Sequence, residues 1–241
     1  MYYYAIIALQ AFCVYHCYTK RNNYYWIFAI IFLPVVGSIL YLFTNVFQKR
    51  DIEKVQESLV TAINPSKKIT DLEKKLKFSE TFENRVALAD AYLEERLYPE
   101  AISHYESSLK DVFSKDFYVI SKLLEAHYLS ANQEEVVVCA EKILDNPKFR
   151  KSKASFLYAL TLEKLGNIKA AEEVLRTFDA PYSNFTERLE LARFLKRQEK
   201  FGDAKDLYQE MVSEFENMSK PNFRQNRNLI KIVKEELQAL Q

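Results

Sequence analysis

The feature that most constrains this chain is a spacing. Stretches beginning at Arg85, Ser155 and Arg188 each place a small residue (Ala89, Ala159 or Ala192) twelve residues before a second one (Ala101, Ala171 or Ala204). A large apolar residue follows four places later, at Tyr105, Leu175 or Tyr208. Small residues let two helices cross closely, and large ones four further along fill the space toward the next pair. A weaker copy runs from Leu123 to Leu144, where Val136 and Ala140 take the second-helix places. The series Tyr105, Ala140, Leu175 and Tyr208 then advances by 35, 35 and 33 residues. In that copy Leu124 stands where a small residue is expected and Ala126 lies two places on, which leaves its register open.

A period near 34 residues built from two helices is the tetratricopeptide signature. Residues 82–218 resemble that family, and Lys164-Leu165-Gly166 matches its turn between helices. The resemblance implies that the first helix of each pair lines a concave, partner-binding side. Carried over residue by residue, this gives Val86, Asp90, Leu93 and Glu94 from the first repeat and Phe156, Leu160 and Glu163 from the third. The fourth contributes Leu189, Arg193, Lys196 and Arg197. Members that hold a chaperone's terminal carboxylate use Lys and Asn at set places; Val86 and Asp90 occupy the first such pair, so that clamp does not carry over. Arg193, Lys196 and Arg197 recur at helical spacing and offer charge to an acidic partner segment, unless they simply form a solvated basic face.

Composition narrows the class. Only three glycines occur, at positions 37, 166 and 202, roughly a sixth of average usage. Folds that need many left-handed turns have few residues able to make them cheaply, which favours an all-α chain. Neither GxGxxG nor GxxxxGK[ST] can be written, so two common nucleotide fingerprints are absent. The net charge of +1 gives no basic excess for nucleic acid. Cys13, Cys17 and Cys139 are too few and too scattered for a disulfide framework. Cys13, His16 and Cys17 form CxxHC rather than a haem-attachment string and lack a fourth metal ligand. No nucleophile, base and orienting acid assemble by spacing, and no cofactor or metal is expected.

The average charge hides an asymmetry. Residues 1–50 hold Lys20, Arg21, Lys49 and Arg50 and no Asp or Glu, a charge of +4, which leaves −3 on residues 51–241. Two uncharged apolar runs occupy this head, Tyr2 to Tyr18 and Tyr24 to Phe47. As helices they would extend about 26 and 36 Å against a hydrocarbon core of roughly 30 Å, so the expectation is a two-helix transmembrane hairpin. A cleaved signal peptide and a shallow re-entrant hairpin, suggested by Gln10 and His16, are the alternatives. Positive-inside counting favours a cytoplasmic body by one residue.

The second run carries Trp26, Leu33, Pro34, Gly37 and Tyr41 in an order that resembles the phospholipase D/cardiolipin synthase N-terminal domain, a two-helix membrane module, over about residues 3–47. The resemblance ends before any phospholipase chemistry, because none of His16, His104 and His127 begins an HxK string.

The expected layout is therefore a two-helix anchor at residues 1–48, a helical linker at 49–81, repeats at 82–218 and a C-terminal capping helix at 219–241. In the linker, Thr70-Asp71-Leu72-Glu73 reads as a helix start, and Ile230, Val233, Leu237 and Leu240 give the last helix one apolar face. The whole resembles an uncharacterised bacterial family of membrane-anchored tetratricopeptide proteins. The resemblance implies a non-catalytic scaffold that binds a protein or peptide at the inner membrane. A different expectation is an accessory subunit of a phospholipid or envelope-lipid enzyme, acting through the hairpin.

Overall fold

The structure is a computed structural model that describes residues 2–19, 25–41 and 65–240. Among these the chain is all-α, with fourteen α-helices, one 3-10 turn and no strand. It divides into two compact units, residues 1–68 and 69–241.

The N-terminal unit holds α1 (Tyr2–Thr19), α2 (Tyr25–Phe32) and α3 (Pro34–Tyr41). This corrects the expectation of an integral membrane protein with two spans, because no helix among the described residues is long and apolar enough to cross a membrane. Five tyrosines, Gln10 and His16 dilute the hydropathy of α1. The second apolar run bends at Leu33, and Pro34, which has no N–H to continue the ladder, opens a new helix. Two eight-residue helices result, each only about 12 Å long. They pack on one another and on α1. Gly37 makes the close approach possible, since a Cβ there would collide with the backbone carbonyl of Ala29. Residues 42–47 of that run, the expected linker helix at 51–63, and Lys20 and Arg21 lie outside the described residues.

The second unit is a succession of helix pairs. Helix α4 (Pro65–Phe78) precedes α5 (Phe82–Glu94) and α6 (Tyr98–Ser108), then α7 (Phe117–Leu129) and α8 (Gln133–Glu141). The next pairs are α9 (Lys153–Lys164) with α10 (Ile168–Arg176), and α11 (Phe185–Arg197) with α12 (Phe201–Glu216). Short α13 (Lys220–Gln225) and α14 (Arg227–Gln238) end the chain. Thr70 lies inside α4 rather than at its start. Ile69, Leu72 and Leu76 from α4 pack on the core beneath α5. At the far end, Ile230 and Val233 of α14 are buried against α12 and α11.

Local chemistry explains why each pair starts and turns where it does. Thr81, Asp116 and Ser152 precede α5, α7 and α9, and each side chain accepts a hydrogen bond from the backbone N–H three residues on. This satisfies donors that a helix start leaves open. Each pair then turns through one left-handed residue, Arg96, Ala131, Gly166 or Glu199, with φ of 61°, 61°, 80° and 61°. In all four turns the N–H after that residue reaches back to a carbonyl near the helix end: Leu97 to Tyr92, Asn132 to His127, Asn167 to Leu162, and Lys200 to Leu195, at 2.8–2.9 Å. This is a Schellman closure.

These turns fix the register of the second pair, because Arg96, Ala131, Gly166 and Glu199 advance by the same 35, 35 and 33 residues. Leu124 therefore fills the place of Ala89, and Val136 that of Ala101, both fully buried. Bulk has been exchanged within the pair: the close-crossing slots are larger, and Ala140 stands where the other pairs have Tyr or Leu. Such volume-conserving swaps are the kind that cores tolerate best.

Candidate functional site

The first three of these first helices touch in succession: α5 contacts α7, and α7 contacts α9, so these three form one face of the unit. Between α7 and α9 that face opens into a cleft of about 230 Å³, lined in part by Tyr118, Ser121, Lys122, Glu125, Lys153 and Leu157. Glu125 sits between two ammonium groups, Lys153 Nζ at 2.6 Å and Lys122 Nζ at 3.3 Å. The Ser121 hydroxyl is buried and has no hydrogen-bond partner among the described residues. Tyr118, half exposed, donates to Asp90 Oδ2 at 2.8 Å, and buried Tyr105 donates to Asp90 Oδ1 at 2.5 Å. Burial first, and then the Asp90 carboxylate, push the Tyr118 phenol up to about 12 and raise that of Tyr105. Both hydroxyls therefore remain protonated donors at neutral pH.

Of the residues expected to line a groove, Asp90 is held by these tyrosines and Leu93 is buried in the core. Phe156 is half-buried and meets Phe178 edge to face at 5.7 Å, and Leu160 is half-buried on the same helix. Glu94 is exposed.

The basic residues meet carboxylates of the chain itself. Arg197 makes a two-pronged contact with Glu163 at 2.7 and 2.8 Å and reaches Glu190 at 2.8 Å. Glu190 approaches Arg193 at 3.8 Å, Arg193 binds Glu236 at 3.1 Å, and Glu236 lies 3.5 Å from Lys196. Three acids and three bases thus alternate along α9, α11 and α14 in place of an open basic face. The Glu163 carboxylate raises the Arg197 guanidinium above its ordinary pKa.

Of the residues expected to mark a membrane hairpin, Trp26 and Tyr41 join His16 in a small aromatic cluster. Tyr41 is fully buried, shares a 2.9 Å hydrogen bond with His16 Nδ1 and meets the Trp26 ring edge-on at 5.8 Å. Leu33 is exposed at the bend. Cys13 and Cys17 are buried thiols beside this cluster, not joined in a disulfide.

The cleft residues on α7 were missed in the sequence because the register of the second repeat was open. A 35-residue step from Asp90 leads to Glu125, and from Val86 to Ser121, so the repeat itself held the signal. The chain matches no family model, and no curated protein matches it in sequence.

Proposed function

We propose that the chain is a non-catalytic scaffold of the tetratricopeptide type, whose four helix pairs offer their first helices to an extended segment of a protein partner. The observation that carries this reading is the direct contact of α5 with α7 and of α7 with α9, with an open cleft at the second of these junctions. The recurring left-handed turn supports the repeat type, since four turns of one geometry keep the 35, 35 and 33 spacing. The cleft has the chemistry of a peptide groove: a half-exposed tyrosine, an unpartnered hydroxyl and a carboxylate flanked by two lysines. Aromatic anchors supply area at low entropic cost, and the polar groups fix the orientation of a bound backbone.

The test is selection from a random peptide library on the full chain, followed by affinity measurement on the Tyr118→Ala and Lys153→Glu variants. Selected peptides are expected to bind about tenfold more weakly to each variant, while circular dichroism shows the helices intact. Undiminished binding to both variants refutes the groove.

A further inference from the structure

We propose that the N-terminal three-helix unit docks on an anionic phospholipid surface, lying along the interface without crossing it. Helix α1 is built inside out for a protein bathed only in water. Its exposed residues Tyr4, Ile7, Phe12, Tyr15 and Tyr18 are separated by three, five, three and three places, and exposed Ala8 and Ala11 fill the gap, so they form one stripe. The stripe is aromatic and apolar, whereas Gln10 and His16 turn inward. Gln10 Nε2 donates to the Ile30 carbonyl at 2.9 Å, and His16 bonds Tyr41. On the other two helices Phe28, Phe32 and Val36 are more than half exposed. Water-facing proteins rarely leave an apolar stripe of this length uncovered.

Charge selects the occupant. Residues 1–68 hold seven bases and three acids, a net charge of +4, and no acid precedes Asp51, so two copies of this unit repel each other, while an anionic surface attracts each of them. Geometry selects the mode. No helix among the described residues is long and apolar enough to cross a membrane, whereas helices lying in the plane need only a surface layer about 5–10 Å deep. Gln10 and His16 each keep one hydrogen bond within the unit, so immersion leaves neither side chain without a partner. Tyrosine and tryptophan rings favour the headgroup level.

The test is flotation of the full chain with vesicles of phosphatidylcholine alone or of an equal mixture with phosphatidylglycerol. Trp26 is the only tryptophan in the chain and reports its own depth when quenched by lipids brominated at different positions. Binding is expected to the mixed vesicles, about tenfold weaker for the K20E/R21E double variant, with the strongest quenching from bromines near the headgroup. Failure to bind the mixed vesicles overturns the proposal, as does binding that ignores both vesicle charge and the double variant. Strongest quenching by chain-end bromines overturns it in favour of a deeper position, and self-association without vesicle binding overturns it in favour of a second copy.

Discussion

In the first two helix pairs, tyrosine hydroxyls on carboxylates fasten the helices to one another. Tyr92 donates to Glu73 at 2.7 Å, and Tyr105 and Tyr118 share Asp90. In the last two pairs guanidinium groups do this work. Arg188, with no exposed surface, reaches Asp179 at 3.0 Å, Glu210 at 3.2 Å and Glu214 at 2.8 Å, while Arg197 spans Glu163 and Glu190. The two apolar cores meet within α9, at Leu157 and Ala159. Similar burial can thus be pinned by neutral donors in one half and by charges in the other. The halves should answer differently to the loss of a partner, because a stranded buried charge costs more than a stranded hydroxyl.

Arg188→Ala is the most severe test. It leaves Glu214, whose side chain is 5% exposed, without its counter-charge, and about 3–5 kcal/mol of stability should be lost in urea unfolding. A loss below about 1 kcal/mol would erase the contrast between the halves. Asp90→Ala acts on the other half: it orphans the buried Tyr105 hydroxyl and should cost about 1–3 kcal/mol, with Asp90→Asn milder because an acceptor remains. Equal losses for the alanine and asparagine variants would mean that the hydroxyl–carboxylate contact contributes little.

Acid should also weaken the first half through His127. The residue is 4% exposed, neither ring nitrogen has a partner among the described residues, and burial lowers its pKa below the ordinary 6.5. The unfolded chain therefore takes up the proton first. Stability is retained above pH 6.5 and declines as the pH falls from there toward the lower folded value. The nearby Glu106 and Glu135 oppose this shift, and Lys142 adds to it. His127→Phe should flatten the fall in melting temperature between pH 7 and pH 5; an unchanged slope would assign the fall to other groups.

The turns give a smaller effect. A Cβ on Gly166 would meet nothing within 4 Å, so Gly166→Ala should cost about 1 kcal/mol through its positive φ alone, and Ala131→Gly should gain up to about the same. Opposite signs for the two changes, read from melting curves, are the required result. Smallest of all is Arg197→Gln. Its pairs are 44% exposed on the arginine side, so the loss should be about 0–1 kcal/mol and should vanish in molar salt. A salt-independent loss would place this network with the buried group around Arg188.

Much of the body is legible from spacing. The 35-residue rhythm gives the pairs, and Arg197 meets Glu163 one repeat earlier, 34 residues away. Ile230 and Val233 face the core, as the last helix's apolar stripe requires. Glu236 was not legible as the partner of Arg193 and Lys196, because the last helix stands outside the repeat and no period ties it to α11. The scarcity of glycine pointed to the right class through an incomplete premise. Seven non-glycine residues among those described adopt positive φ, including three of the four pair turns. The closing hydrogen bonds and buried neighbours of those turns hold an arginine, an alanine and a glutamate where glycine would be easier.

For the head, the sequence determined hydrophobicity, charge and the place of the break at Pro34, since each belongs to the residues themselves. Only the tertiary structure decided that the broken run folds back on itself, because that depends on Gly37 reaching the Ala29 backbone across a bend. For the body, the sequence determined helices, turns and period, which are set within a few residues. Tertiary structure decided which half is fastened by phenols and which by guanidinium groups, because those bonds join side chains from different helices and form only when the pairs have stacked.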